Sequence, residues 1–233
     1  MFGRRLINTG GISCTTDTLQ ILGDTSCVAT YRLNGDATDL SGNYNGTATS
    51  VTYVAGIFGD AGSFNGSSSY VGLPSSATTP IDLSARNYTI SMWINPTVGS
   101  AYGSLLSKYG SSTPSRALYT YWNSPANKVT FGENGSAGFQ QITSLSDVLS
   151  GVWTHLVFTK TTTTQSMYIN GTLDASAANG GIGQSTSEEF KIGATFSNGT
   201  ITEVFNGSID QVRIFNKAIS DTEVTTLYNE VAC

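Results

Sequence analysis

Apolar residues stand at every second position in many short stretches of this chain. Residues 88–94 read YTISMWI, in which the first, third, fifth and seventh residues are apolar and share one face of an extended strand. Comparable stretches begin at residue 28 and are separated by turn residues about every ten to fifteen residues, which is typical of an all-β sandwich. They read VATYRL, SYVGL, YTISMWI, ALYTY, KVTFG, WTHLVFT, SMYIN and SIDQVRIF. WTHLVF is apolar on both faces, which predicts a central strand covered on both sides.

A short helix is predicted after the last strand. Ser220 and Glu223 form a capping box, in which the serine side chain caps the third helical amide and the glutamate reaches back. Val224, Leu227 and Tyr228 then fall on one side at helical spacing. We therefore expect the helix to pack on the sandwich.

The last strand contains one unexpected charge. By period-two alternation, Asp210 falls on the same face as Val212 and Ile214, which predicts a carboxylate directed toward the core. A buried carboxylate needs hydrogen-bond donors or a cation. Its role is the question that this strand raises.

Asn-Gly pairs mark the turns between strands. The pair is preferred in tight hairpin turns because both residues tolerate positive φ. Six of the seven pairs also match the glycosylation sequence, and a turn role is favoured over glycosylation. The pairs begin at Asn34, Asn45, Asn65, Asn134, Asn170, Asn198 and Asn206.

Composition and charge narrow the function classes. The chain has 233 residues, a net charge of -5 and a pI near 4.7, which argues against a nucleic-acid partner. No apolar run approaches the roughly 18 residues of a membrane span, and the N-terminus lacks the apolar segment of a secretory signal. Residues 1–27 lack the aromatic-rich alternation and are predicted to be an arm, while residues 28–233 form one domain.

The cysteines give no clear framework. Cys14, Cys27 and Cys233 are an odd number and match no zinc spacing. Cys14 and Cys27 could form a disulfide, or all three could be free thiols in a reducing compartment. A terminal cysteine is also compatible with intermolecular pairing.

Five stretches, in order, carry a family likeness. They read TYRLNGDATDLSGNYNGT, DAGSFNGSSSYVGLP, YTISMWINP, WTHLVFTK with MYINGTL, and GSIDQVRIFNKAISDTEVTTLY, and they span roughly residues 28 to 230. The chain resembles the laminin G-like jelly roll of the concanavalin A-like lectin/glucanase superfamily, which includes the pentraxins. The resemblance implies an all-β fold, a two-sheet antiparallel jelly-roll sandwich with concave and convex faces and a short C-terminal helix.

The resemblance does not imply one function, because this architecture carries lectins, adhesins, structural modules and glycosidases. Glucanases of this fold commonly use Glu-x-Asp-x-x-Glu on one strand, which supplies the nucleophile and the acid. That pattern does not occur, and the adjacent Glu188 and Glu189 would face opposite ways on a strand. His155 is interpreted as a hydrogen-bonded structural residue. We therefore expect a protein that is not an enzyme.

Related domains often hold a structural Ca²⁺ beside the acidic loop. The resemblance implies a site of Asp36, Asp39 and Asn43, with Asp210 as a companion from the last strand. Calcium prefers several oxygen ligands of this kind. In the alternative interpretation, Asp39 caps a turn and Asp210 accepts hydrogen bonds from backbone amides.

Sugar binding is the other family option. Aromatic rings in the middle third of the chain could stack on sugars from loops or an outward strand face, or could serve only in packing. The candidates are Tyr102, Tyr109, Tyr119, Tyr121 and Trp122.

Two functions remain open. The opening MFGRRLINTGG resembles those of small marine-phage proteins that carry this domain. This suggests a capsid decoration, tail or fibre protein of the virion, assembled in the host cytoplasm. Residues 1–27 would bind capsid or tail proteins, and a multicopy or homo-oligomeric jelly roll would contact host glycans. The alternative is a bacterial carbohydrate-binding lectin or adhesin, free or at the cell surface.

Overall fold

The computed structural model of the protein describes residues 18–74, 83, 87–99, 101–109, 116–135, 138–179, 189–197 and 200–230. These residues form seventeen strands and one helix. The strands are β1 (Cys27–Tyr31), β2 (Thr47–Thr49), β3 (Thr52–Ala55), β4 (Asp60–Asn65), β5 (Tyr70–Leu73), β6 (Tyr88–Pro96), β7 (Tyr102–Tyr109), β8 (Arg116–Asn123), β9 (Lys128–Gly135), β10 (Gly138–Thr143), β11 (Thr154–Lys160), β12 (Thr164–Ile169), β13 (Thr172–Ala178), β14 (Phe190–Ile192), β15 (Thr195–Ser197), β16 (Thr200–Thr202) and β17 (Asn206–Phe215), and the helix is α1 (Asp221–Tyr228).

Two antiparallel sheets make up the sandwich. The eight-stranded sheet has the order β13-β12-β11-β6-β17-β4-β3, with β1 also paired to β17. The seven-stranded sheet has the order β10-β9-β8-β7-β14-β5-β2, and β15 and β16 form a separate hairpin. The predicted all-β sandwich with a short C-terminal helix is confirmed.

Both sheets contribute to one apolar core. Ile90, Met92 and Ile94 enter it from β6, and Leu118 and Phe131 enter it from the opposite sheet. The alternation predicted for residues 88–94 is therefore confirmed. Every residue of β11 is buried, as expected for a central strand with both faces covered.

A buried ion pair links the two sheets inside this core. The Lys160 ammonium on β11 contacts the Glu133 carboxylate on β9, and the Tyr88 hydroxyl donates to the same carboxylate at 2.7 Å. All three side chains are almost fully buried. Burial raises the pKa of Glu133, and the Lys160 charge opposes this. Removing one member would leave a buried charge without its partner, so the pair constrains how the sheets align.

Helix α1 packs over a second apolar cluster on the outer face of the eight-stranded sheet. Ser220 and Glu223 form the predicted capping box, and Val224 and Leu227 are fully buried. The Tyr228 ring stacks on Trp93, with ring centroids 5.8 Å apart. The predicted one-sided helix is confirmed. No helix in the described part of the chain is long and apolar enough to span a bilayer.

Residues 18–26 belong physically to the domain. Leu19, Ile21 and Leu22 pack against the cluster under α1, and the Lys217 ammonium lies 2.6 Å from the Asp24 carboxylate. The rest of the predicted arm, residues 1–17, lies outside the described residues. Cys27 is buried and forms no disulfide with any described residue, and burial raises its pKa. Cys14 and Cys233 lie outside the described residues.

The Asn-Gly pairs serve in two different ways. Asn170 and Gly171, with φ of 50° and 82°, make the tight turn between β12 and β13, as predicted. Asn134 and Asn206 instead lie within β9 and β17. The turn prediction is wrong at these two because pairing with neighbouring strands outweighs local turn preference. Asn198 lies outside the described residues.

A β-bulge in β17 changes the face on which Asp210 lies. The register between β17 and β6 shifts between Asp210 and Arg213, where Gln211 has a φ of 51°. Ile209 and Val212 therefore both enter the core, whereas Asp210 pairs with Trp93 on the outer face. The prediction that Asp210 shares a face with Val212 is wrong because one extra residue breaks the period-two alternation.

Asp210 fastens the turn between β3 and β4. One carboxylate oxygen accepts from the Ile57 amide at 2.9 Å and from the Phe58 amide at 3.1 Å. The other oxygen is buried and has no partner among the described residues. Burial raises the pKa of Asp210 from 3.8 to about 7, and the backbone hydrogen bonds only partly offset this.

This carboxylate should make stability depend on pH. Since the folded pKa lies above the unfolded one, the folded chain binds more protons between about pH 4 and pH 7, and the unfolding free energy falls as pH rises through that window. Asp210→Asn retains a carbonyl acceptor for both amides and should flatten this part of the profile, as measured by denaturant unfolding. Asp147→Asn, at a largely exposed carboxylate, is the matched control. Parallel profiles for wild type and Asp210→Asn would contradict the assignment.

Candidate functional site

Four tyrosines line one groove on the outer face of the seven-stranded sheet. Three of its strands and the loop after β16 form the walls, and the volume is about 230 Å³. Tyr102 is 44% exposed and Phe139 is 41% exposed, so the groove opens to solvent. The lining residues are Tyr102, Tyr109, Tyr119, Tyr121, Phe139, Gln141 and Glu203.

Strand alternation in β8 places the tyrosines outside. Tyr119 and Tyr121 are two residues apart and share the outer face, while Leu118 and Trp122 enter the core. The Trp122 ring is 2% exposed and its Nε1 donates to the Val148 carbonyl at 2.8 Å. Trp122 therefore packs the core and does not line the groove with the four tyrosines.

The tyrosine rings form a continuous row. The ring centroids of Tyr109 and Tyr119 are 5.0 Å apart, and those of Tyr119 and Tyr121 are 4.7 Å apart. Tyr102 meets Tyr121 edge to face at 5.4 Å. Such contacts stabilise aromatic pairs and fix ring orientation. The row is an amphipathic surface with apolar ring faces and polar hydroxyls.

Glu203 closes one side of the groove. The Tyr119 hydroxyl donates to its carboxylate, and burial together with this contact raises the pKa of Tyr119 well above its ordinary value. The Ser104 amide donates to the Glu203 carbonyl at 2.7 Å, which ties the loop to β7. Glu203 has a φ of 49°, an uncommon conformation that only the surrounding structure enforces.

Sequence reasoning missed three lining residues. Strand alternation in β10, which pairs with β9, could have placed Phe139 and Gln141 on the same face of the sheet. The Phe139 ring lies over Gly132, where a Cβ atom would stand only 2.5 Å from the ring. Glu203 has no comparable signal, because it stands 84 residues from Tyr119 and in an irregular loop.

His155 is a structural residue, as interpreted from the sequence. It is buried on β11, its Nε2 lies 2.9 Å from the Ser91 hydroxyl, and its ring centroid is 5.0 Å from that of Trp93. Burial, together with the nearby positive charge of Arg213, lowers the pKa of His155 to about 3. The imidazole is therefore neutral at ordinary pH and is not part of the groove.

Asp39 organises the acidic loop through hydrogen bonds. One carboxylate oxygen accepts from the Thr30 amide at 2.9 Å. The other accepts from the Tyr44 amide at 3.2 Å and from the Ser41 hydroxyl. Asp39 is 1% exposed, so these contacts replace its hydration. They are the turn-capping contacts that the sequence offered as the alternative to metal binding.

The other predicted metal ligands do not join Asp39 in one cluster. Asp36 is exposed and accepts from the Thr38 amide at 2.8 Å, and the Asn43 amide donates to Ser41 at 3.2 Å. Asp210 binds the turn between β3 and β4 instead. Among the described residues, no group of three or more His, Cys, Asp or Glu could hold a metal ion. The donors therefore fit calcium poorly, and the structure favours the turn-capping alternative. The calcium site implied by the sequence stays an untested hypothesis.

A melting experiment tests calcium directly. We expect chelator and added Ca²⁺ to leave the melting temperature unchanged, since both oxygens of Asp39 already accept hydrogen bonds. Differential scanning calorimetry with EDTA and with millimolar Ca²⁺ measures this. A rise with Ca²⁺ that disappears in Asp36→Asn would instead establish a calcium site at the loop.

Solved structures of similar fold include a domain of an extracellular arabinanase. Domain 4 of the extracellular arabinanase AbnA from Geobacillus stearothermophilus, solved in complex with arabinotriose, is 23% identical to this chain. The match covers 88% of this chain and 98% of that domain, with a TM-score of 0.69. A likeness at this identity shows the fold.

Two toxin binding domains are also similar. That of Paraclostridial Mosquitocidal Protein 1 is 18% identical over 86% of this chain, with a TM-score of 0.69. That of botulinum neurotoxin DC, solved with rat synaptotagmin II, is 16% identical over 88% of this chain, with a TM-score of 0.67. In both cases the match covers 51% of the toxin chain, so this protein spans about half their length.

A search of curated proteins found no significant match. A family profile, in contrast, matches most of the chain. The profile, described as concanavalin A-like lectin/glucanases superfamily, matches residues 65–225, which is more than half of the chain. The strand order, the C-terminal helix and this match agree. The chain belongs to the laminin G-like family of the concanavalin A-like lectin/glucanase superfamily.

Proposed function

We propose that this domain is a non-enzymatic carbohydrate-binding module whose tyrosine groove stacks against sugar rings. The observation that carries the proposal is the row of four tyrosine rings beside Gln141 and Glu203 in one open groove. Aromatic faces match the apolar C–H faces of sugars, while the amide and the carboxylate accept from hydroxyls. Pockets that combine apolar walls with a few placed polar groups are typical ligand sites.

The comparisons support this proposal through fold. The arabinanase domain was solved with arabinotriose, and the binding domain of botulinum neurotoxin DC was also solved in complex with SialylT. These ligands belong to those proteins. They support the proposal because domains of similar fold were solved with these ligands bound.

The groove is poorly equipped for glycoside hydrolysis. That reaction commonly uses two carboxyl groups at a fixed separation, one as acid and the other as base or nucleophile. Of the seven lining residues that the structure describes, Glu203 alone carries a carboxylate. The proposal is therefore one of binding.

An attachment role is the finer part of the proposal. The likeness of MFGRRLINTGG to phage proteins supports a virion component in which the N-terminal segment contacts capsid or tail proteins and the jelly roll contacts host glycans. A bacterial lectin or adhesin is the alternative. No comparison separates the two.

Tyr121→Ala should weaken glycan binding about tenfold or more, equivalent to about 1.4 kcal/mol. The reason is that the variant removes the ring that contacts both Tyr119 and Tyr102. Glycan-array screening with and without Ca²⁺, followed by calorimetric titration of the best ligand, measures the effect. Tyr53→Ala, at a half-buried tyrosine of β3 on the other sheet, is the control. Unchanged glycan binding by Tyr121→Ala, or the absence of any bound glycan, would contradict the proposal.

Truncation tests the attachment role. Residues 18–26 pack on the domain, so a deletion limited to residues 1–17 retains those packing contacts. If the virion hypothesis is right, the gene lies among capsid or tail genes. The truncated protein should then fail to enter particles when it is co-expressed with the capsid or tail proteins. Incorporation equal to that of the full chain would refute the anchor, and neighbouring polysaccharide-utilisation genes would favour the lectin alternative.

A further inference from the structure

We infer that the tyrosine groove selects uncharged segments of linear glycans and discriminates against acidic sugars. The inference rests on the proposed carbohydrate-binding function and assigns its substrate class. Two observations carry it, namely the fixed negative charge of Glu203 and the length of the tyrosine row. Neither depends on the identity of the proteins that share the fold.

Glu203 holds its charge in a defined position. Its side chain is half-buried, its carboxylate accepts from the Tyr119 hydroxyl, and its carbonyl accepts from the Ser104 amide. The carboxylate therefore cannot swing away from a ligand without losing the hydrogen bond from Tyr119. It is also the one charged group among the seven described lining residues.

The described lysines on the strands next to the groove do not line it. Lys108 on β7 pairs with Leu118, but it is 1% exposed and its ammonium lies over the ring of Phe190, a core residue. Lys191 on β14 pairs with Ser107, which pairs with Tyr119. Its side chain is 6% exposed, contacts the Glu189 carboxylate at 3.0 Å and lies over the Tyr70 and Phe196 rings. Its charge is thus satisfied within the protein and is not available to a ligand carboxylate or sulfate.

A partly buried carboxylate favours donors and repels anions. Sugar hydroxyls can donate to Glu203, whereas a uronate or sulfate would bring a like charge close to it. Like charges repel more strongly where protein and ligand exclude water than in bulk solvent. The groove should therefore prefer a neutral sugar over its acidic counterpart.

The row of rings also implies more than one sugar position. Successive tyrosine centroids are separated by 5.0, 4.7 and 5.4 Å, so a single sugar ring covers only part of the row. A linear chain can follow the tyrosines and contact each in turn. Affinity should consequently rise from monomer to trimer to hexamer.

The test compares paired oligosaccharides on wild type and two variants. Galactan, mannan and glucan hexamers are titrated beside polygalacturonate, polymannuronate and polyglucuronate hexamers, and beside neutral monomers and trimers. We expect at least one neutral hexamer to bind about tenfold or more tightly than its uronate counterpart and than its own monomer. Glu203→Gln, which retains an acceptor for Tyr119, should narrow the neutral-to-acidic gap several-fold.

Asp60→Asn is the charge-matched control, since it removes one carboxylate from an exposed position on β4 of the other sheet and should leave the gap unchanged. Equal or tighter binding of the uronates, or an unchanged gap in Glu203→Gln, would overturn the inference and leave carbohydrate binding intact. Binding of none of these chains, together with an empty glycan array, would overturn the proposed function itself.

Discussion

The packing of two sheets on one shared apolar core decides where the other side chains point. Because each strand alternates, filling the core from one face of β8 with Leu118 and Trp122 directs Tyr119 and Tyr121 to the opposite face. The groove is thus a consequence of core formation and needs no separate folding element. Its one irregular wall is the loop after β16, which the Ser104 amide ties to β7.

The same constraint explains the polar groups that the sandwich tolerates. Lys160, Glu133 and Tyr88 satisfy one another between the sheets, so three polar side chains occupy the core without leaving an unpaired charge. On the outer face of the eight-stranded sheet, both terminal nitrogens of Arg213 donate to the Glu230 carboxylate, and both side chains are buried. Asp210 differs, because its second oxygen has no partner within the described residues, and its raised pKa reflects that incomplete solvation.

Local signals in the sequence were sufficient for most of the fold. Alternation in residues 88–94, the capping box of Ser220 and Glu223, and the Asn170 turn depend on neighbours in the chain, and each was predictable. The face of Asp210 was not, because the bulge at Gln211 requires a positive φ in a residue that rarely adopts one. It is stabilised by pairing with β6, which alternation alone does not reveal.

The residues of the candidate site were predictable from the sequence to about the same extent as the fold. The four tyrosines were identified by their residue type and position, and strict alternation from Tyr121 would have excluded Trp122. Glu203 could not be placed, because its position beside Tyr119 depends on how the hairpin of β15 and β16 lies against the sheet. In the acidic loop, carboxylates close in sequence suggested a metal site, whereas Asp39 turns inward to backbone amides in the structure. Calcium binding at this loop stays a prediction.

The location of the groove has a consequence for how its proposed glycan preference can vary. Tyr102, Tyr121, Phe139 and Gln141 face solvent, so substitutions there alter the groove while the core keeps its packing. Gly132 and Tyr119 are more constrained. Gly132 leaves room for the Phe139 ring, and Tyr119 anchors the Glu203 loop through its hydroxyl. Ligand preference can therefore vary at the exposed rings, while the position of the charge is fixed by contacts within the fold. This separation gives a physical reason why one jelly roll can serve binding proteins with different ligands.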